Sequence, residues 1–145
     1  MKSVVTMSER NKMVACRYFK AYETGNIEAV MKFLAPKYVL HPGGIGERMN
    51  SDERKRDEMT FFSGFSGIKT VVEDQIAEGD KVASRITMRC THTGKYRGIP
   101  ATGKRVIIPY IDILQIRAGK ISEEWVEFDT MGIITQINDH KDSRQ

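Results

Sequence analysis

The run Val106-Ile107-Ile108-Pro109-Tyr110-Ile111-Asp112-Ile113-Leu114-Gln115-Ile116 constrains the fold of this chain most. It reads as a strand with two apolar faces. Val106, Ile108, Tyr110, Asp112 and Leu114 share one face; Ile107, Ile111 and Ile113 share the other. Both faces need cover, so one is expected to pack on helices and the other to line a cavity or meet a partner. Asp112 breaks the pattern. A carboxylate there loses water and must be paired, hydrogen-bonded or protonated. A carboxyl with shifted proton affinity in a hollow suits acid–base catalysis, and a buried Asp tying down backbone or an Arg is the alternative.

Helical signals come first along the chain. Ser8 can cap a helix whose apolar residues recur to Tyr22, with Gly25 as its stop. A second helix is expected over Ile27 to Leu34, capped by Asn26 and ended by Ala35-Pro36, followed by a short strand Tyr38–His41 and a Pro/Gly loop. Ser51-Asp52-Glu53 opens a third helix, whose Arg54-Lys55-Arg56 triplet reads as a solvated face and whose apolar end is Met59, Phe61, Phe62 and Phe65. Strands follow. Lys69–Glu78 and Lys81–His92 flank the turn Gly79-Asp80; the Asp112 strand and Lys120–Asp129 join at Ala118-Gly119. Met131–Ile137 reads as a short helix or strand. Helices followed by an antiparallel meander make a single α+β domain over 1–145, with its core at about 8–138.

Composition removes several classes. No stretch approaches the roughly 20 apolar residues of a membrane span, and the start lacks a long apolar signal segment. Cys16 and Cys90 make no disulfide framework, and both read as reduced core residues of a cytoplasmic protein. The net charge of +4 is divided: Arg85 to Ile111 holds six basic residues and no acid, whereas Asp112 to Asp129 holds five acids. Neighbouring segments of opposite sign point to internal pairing more than to a nucleic-acid surface, and the basic stripe could also attract an anionic substrate. His41, His92, His140 and the scattered acids show no metal-ligand spacing.

Four pieces carry a family resemblance: Tyr38-Val39-Leu40-His41-Pro42; Val72 to Asp80; Thr91-His92-Thr93-Gly94 through Arg105; and Gly119-Lys120-Ile121-Ser122-Glu123-Glu124-Trp125 with Phe128-Asp129. In this order they resemble the SnoaL-like polyketide cyclases of the NTF2-like superfamily, over about Asn11 to Ile137. The resemblance implies a cone-shaped α+β barrel, a curved antiparallel sheet packed on N-terminal helices around a deep apolar cavity. It implies a homodimer through the sheet, a small hydrophobic ligand, and an intramolecular aldol ring closure with no metal or cofactor. It also places Val126 where those cyclases carry their catalytic aspartate, and valine cannot move a proton.

The expected site is therefore Asp112 as the proton-transfer residue, assisted by His41 and Glu124. Glu124 is in phase with Val126 and could face the same hollow, or else sit at the rim and pair with Arg85 or Arg89. Tyr22, Tyr110, His92, Phe62, Val126 and Phe128 are the expected substrate contacts, with His92 alternatively fixing its loop. Two functions remain open at this point. One is a cofactor-free cyclase, isomerase or lyase acting on an apolar carbonyl compound. The other is a non-catalytic ligand-binding or dimeric assembly protein, suggested by Val126.

Overall fold

The computed structural model of the chain describes residues 3–44 and 46–139; the expected His140 lies outside them. Helix α1 (Met7–Ala21) is capped by Thr6, two residues earlier than the expected Ser8. Thr6 and Glu9 form a reciprocal capping box, so each satisfies a backbone N–H that the helix start leaves bare. A 3-10 turn (Tyr22–Thr24) ends at Gly25 in the left-handed conformation. Helix α2 is only Ile27–Met31, and strand β1 begins already at Leu34 and runs to His41. The expected helical end at Ala35-Pro36 is instead an irregular strand start, where pairing jumps from Leu34 to Val39. Pro36 has no N–H to contribute there.

Helix α3 (Ser51–Gly64) opens on Asn50 and Glu53, another capping box. It passes directly into β2 (Phe65–Glu78), which hairpins into β3 (Lys81–His92); β4 (Arg105–Arg117), β5 (Lys120–Phe128) and the terminal helix α4 (Thr130–Asn138) follow. The sheet order is β1-β5-β4-β3-β2. The meander β2 to β5 is antiparallel as expected, but β1 adds to β5 in parallel. Register shifts in β2 fall at Gly67-Ile68 and at Glu73, and such bulges bend a sheet. This is the α+β, curved-sheet architecture expected.

The two faces of the sheet are unlike. Val82, Ser84, Ile86, Met88, Cys90 and His92 of β3 are buried, as are Val106, Ile108, Asp112 and Leu114 of β4. This face meets the helices and also lines the cavity, so helices and cavity share one side. On the other side Ile107, Ile111 and Ile113 stay exposed. Cys16 is exposed on α1, not in the core, whereas Cys90 is buried. No described helix is long and apolar enough to cross a membrane.

Candidate active site

A cavity of about 170 Å³ lies between α1, α3 and the inner sheet face. Its wall is largely apolar: Phe19, Phe61, Met88, Ile108, Val126 and Ile133. Asp112 and Glu124 both line it, and each side chain is only 1% exposed. Their strands set the relation. Asp112 pairs with Val126 in the β4–β5 register, and Leu114 pairs with Glu124, so the two acids are diagonal neighbours on one face.

Glu124 sits in a ring of donors. Tyr18 donates its hydroxyl proton to Glu124 Oε2 at 3.0 Å, and the Tyr38 hydroxyl donates to the same oxygen. Arg54 Nη2 stands 3.9 Å from Oε1. That arginine is buried, 2.6 Å from Glu58 and 3.0 Å from the Tyr22 hydroxyl, to which it donates. Its expected place on a solvated face was wrong for a simple reason. Arg54 and Glu58 are one helical turn apart on α3, and as an ion pair they can enter a face that neither could enter alone. The expected pairing of Glu124 with Arg85 or Arg89 is also corrected: Arg85 pairs with Asp74 on the exposed side.

Asp112 has no such donor. Its Oδ1 is buried and unpartnered among the described residues. Burial raises its proton affinity well above the usual carboxylate range, and the charge and hydrogen bonding of Glu124 raise it further. Two carboxyl groups can hydrogen-bond only through a proton held between them. Asp112 and Glu124 are thus two buried carboxyl groups on one stretch of wall, an acid dyad in which Asp112 holds its proton more tightly than an ordinary carboxyl does.

Tyr110 lines the same cavity beside Asp112 and stands outside the hydrogen-bond network of Tyr18, Tyr22, Tyr38 and Arg54. Burial raises its phenol well above the ordinary value, so it remains a donor. Tyr22, Val126 and Phe128 also line the cavity.

The other sequence candidates fall elsewhere. His41 is not part of the cavity wall: its Nε2 is 2.6 Å from Glu123 Oε1, and its ring stacks on Trp125 at 5.0 Å. The cause is phase, since Glu123 and Trp125 point opposite to Glu124 and Val126 on β5. His92 is fully buried and holds its loop, with Nδ1 2.9 Å from the Thr102 hydroxyl. Phe62 backs the Tyr22 ring at 5.8 Å, while its neighbour Phe61 faces the cavity. Tyr18, Tyr38, Arg54 and Glu58 escaped sequence reading. The one available signal was the four-residue spacing of Tyr18 to Tyr22 and of Arg54 to Glu58. Among the described residues no group of three or more His, Cys, Asp or Glu is placed to hold a metal ion.

The sequence model of the SnoaL-like polyketide cyclases matches residues 12–137. The chain belongs to that family. One curated relative is the aklanonic acid methyl ester cyclase DnrD of Streptomyces peucetius, 28% identical over 85% of this chain and 87% of its own. Its counterpart DauD, from Streptomyces sp. (strain C5), is 24% identical over 85% of this chain and 78% of its own. Among solved structures, AclR of Streptomyces galilaeus, described as a candidate hydroxylase, superposes with a TM-score of 0.82 at 24% identity, covering 91% of this chain and 82% of that one. The likeness to AclR shows the fold alone. The family and its cyclase relatives support a cyclase-type enzyme.

Proposed function

We propose that this family member is a cofactor-free enzyme that forms and uses an enolate of an apolar carbonyl compound, in the manner of an aldol ring closure. The observation that carries this reading is the Asp112–Glu124 dyad buried in the cavity wall. With one proton between them the two groups carry one negative charge, so the dyad can both accept and return a proton.

The dyad takes the proton from the carbon next to the substrate carbonyl, and the resulting enolate oxygen accepts a hydrogen bond from Tyr110. The enolate carbon attacks a second carbonyl of the same molecule. A carbon–carbon bond forms, and the new alkoxide takes the proton back from the dyad. Tyr18, Tyr38 and Arg54 act on Glu124, holding it in place for its exchange with Asp112.

Val126 does not argue against this chemistry once the register is considered. Its direct cross-strand partner is Asp112. Opposed residues in an antiparallel pair have Cβ atoms only about 4.5–5.5 Å apart. An acid lost from β5 is thus supplied from β4 to nearly the same part of the cavity. A non-catalytic binding protein remains the rival reading, favoured by Val126 alone. The test is ring closure of aklanonic acid methyl ester and of smaller aryl diketones, followed by mass spectrometry and absorbance. Turnover that disappears in Asp112→Asn supports the enzyme; binding without turnover supports the rival.

The same reading includes a homodimer formed through the outer sheet face, where Ile107, Ile111 and Ile113 stand exposed.

A further inference from the structure

Four residues of the cavity wall, Asp57, Thr60, Arg97 and Phe128, are solvent-exposed and therefore mark its mouth. Arg97 is the unusual one. It and Gly98 are the central residues of a two-residue turn closed by Tyr96 N–H to Ile99 O at 3.0 Å and Ile99 N–H to Tyr96 O at 2.9 Å. Both have positive φ, 48° at Arg97 and 81° at Gly98. The first position of such a turn favours Asn, Asp or Gly, because a side chain with a Cβ is strained there. An arginine in that conformation, on the lip of a cavity, breaks the local rule at a place where function can explain it.

The turn is also held firmly. Tyr96 packs edge-on against Phe65 at 4.8 Å, and a Cβ at Gly64 of α3 would come within 2.9 Å of the Tyr96 Cβ. The N–H groups of Thr93 and Gly94 bond to Gly64 O at 3.0 and 3.1 Å. The guanidinium lies 5.6 Å from the centre of the Tyr96 ring, and its Nε donates to the Tyr96 hydroxyl at 3.2 Å. That bond uses one donor and leaves the two terminal nitrogens available. Asp57 is the opposing charge at the mouth, but it also stands 3.8 Å from Arg54.

Size adds a second constraint. A dry cavity of about 150 Å³ accommodates benzene, and drug-sized ligands need about 300 Å³ or more. The 170 Å³ here fits a body of one or two rings. Anything longer must leave through the mouth, part of whose rim is Arg97.

We propose that Arg97 is a specificity-determining residue that selects ligands carrying a carboxylate or similar anion on an apolar body of one or two rings. This rests on reading the cavity as the binding site. Arginine offers paired donors to a carboxylate, and its charge strengthens each bond.

The test compares 2-naphthoate with 2-naphthamide, which share a shape and differ in charge, by calorimetric titration of the full chain. Wild type is expected to bind both, with the acid bound about tenfold more tightly. Arg97→Gly, which suits the turn and melts no lower than wild type, erases the preference by weakening the acid alone. Arg97→Lys keeps part of it, and Asp57→Asn enlarges it. A wild-type ratio near one, or a ratio that survives Arg97→Gly, overturns the proposal. Ile108→Trp, checked for folding by circular dichroism, should fill the cavity and abolish amide binding. If the amide fails to bind wild type, or binds Ile108→Trp equally well, the cavity is not the binding site and the proposal falls with it.

Discussion

Asp112 stands directly across from Val126 in the β4–β5 register, and both side chains line one cavity. An acid can therefore be moved from one strand to the next without leaving the same part of the wall. Restoring an acid on β5 should not help. Val126→Asp would set two carboxyl groups opposite each other in an apolar space that already holds Glu124, and repulsion with desolvation would destabilise the fold. Turnover should not rise in this variant, and its denaturation midpoint should fall by an amount worth about 1–3 kcal/mol.

Asp112 also gives stability a pH dependence. Its raised proton affinity, caused first by burial and then by Glu124, means the folded chain keeps a proton that the unfolded chain releases. Unfolded, the group titrates near the ordinary value of about 3.9. Above that pH the unfolded state binds fewer protons, so this group's contribution falls as pH rises, by at most about 1.4 kcal/mol per unit, until the raised folded value is passed. Asp112→Asn lacks the effect. Its melting temperature relative to wild type should climb as pH rises above about 4, as scanning calorimetry at several pH values would show.

Arg54 joins α3 to the dyad. Removing it leaves Glu58 buried without its 2.6 Å partner and takes a cation away from Glu124. Arg54→Met should cost about 3–5 kcal/mol in urea unfolding, as expected when one member of a buried pair is deleted. A loss below about 1 kcal/mol, the range of an exposed pair, would contradict the burial described here.

The fold was legible where local chemistry and periodicity agreed. The alternation in β3 gave its buried face residue by residue and that in β4 sorted its residues onto two faces, although β4, apolar on both, did not show which is buried; Gly79-Asp80 gave the hairpin. Asp112 stood out because it was the one charged residue in an apolar run. Other features needed tertiary information. Leu34 to Pro36 looked like a helix end, since nothing local shows that β5 is waiting to pair with it. Arg54 looked solvated because its salt bridge to Glu58 and its bond to Tyr22 exist only when α1 and α3 meet. His41 looked catalytic from its resemblance and its Pro/Gly neighbours, yet its strand turns it toward Glu123.

His41 makes a clean negative control for that reason. His41→Ala should leave turnover unchanged, whereas Tyr110→Phe should lower it by about 10²–10³-fold if the phenol holds the enolate oxygen. Steady-state kinetics on any accepted substrate separates the two.

The outer face offers the test of assembly. Ile111 is 53% exposed at the centre of the apolar row on β4. Ile111→Glu should convert a dimer into a monomer in sedimentation experiments while leaving ligand binding in the cavity intact.

The most direct measurement of the central claim is hydrogen–deuterium exchange at the carbon beside the carbonyl of small aryl ketones such as 1-tetralone, followed by NMR in heavy water. Wild type should accelerate the exchange over buffer, and Asp112→Asn should remove about 10²–10⁴-fold of that acceleration. Exchange no faster than buffer across one- and two-ring ketones that bind, or acceleration fully retained in Asp112→Asn, would contradict proton transfer by the Asp112–Glu124 dyad.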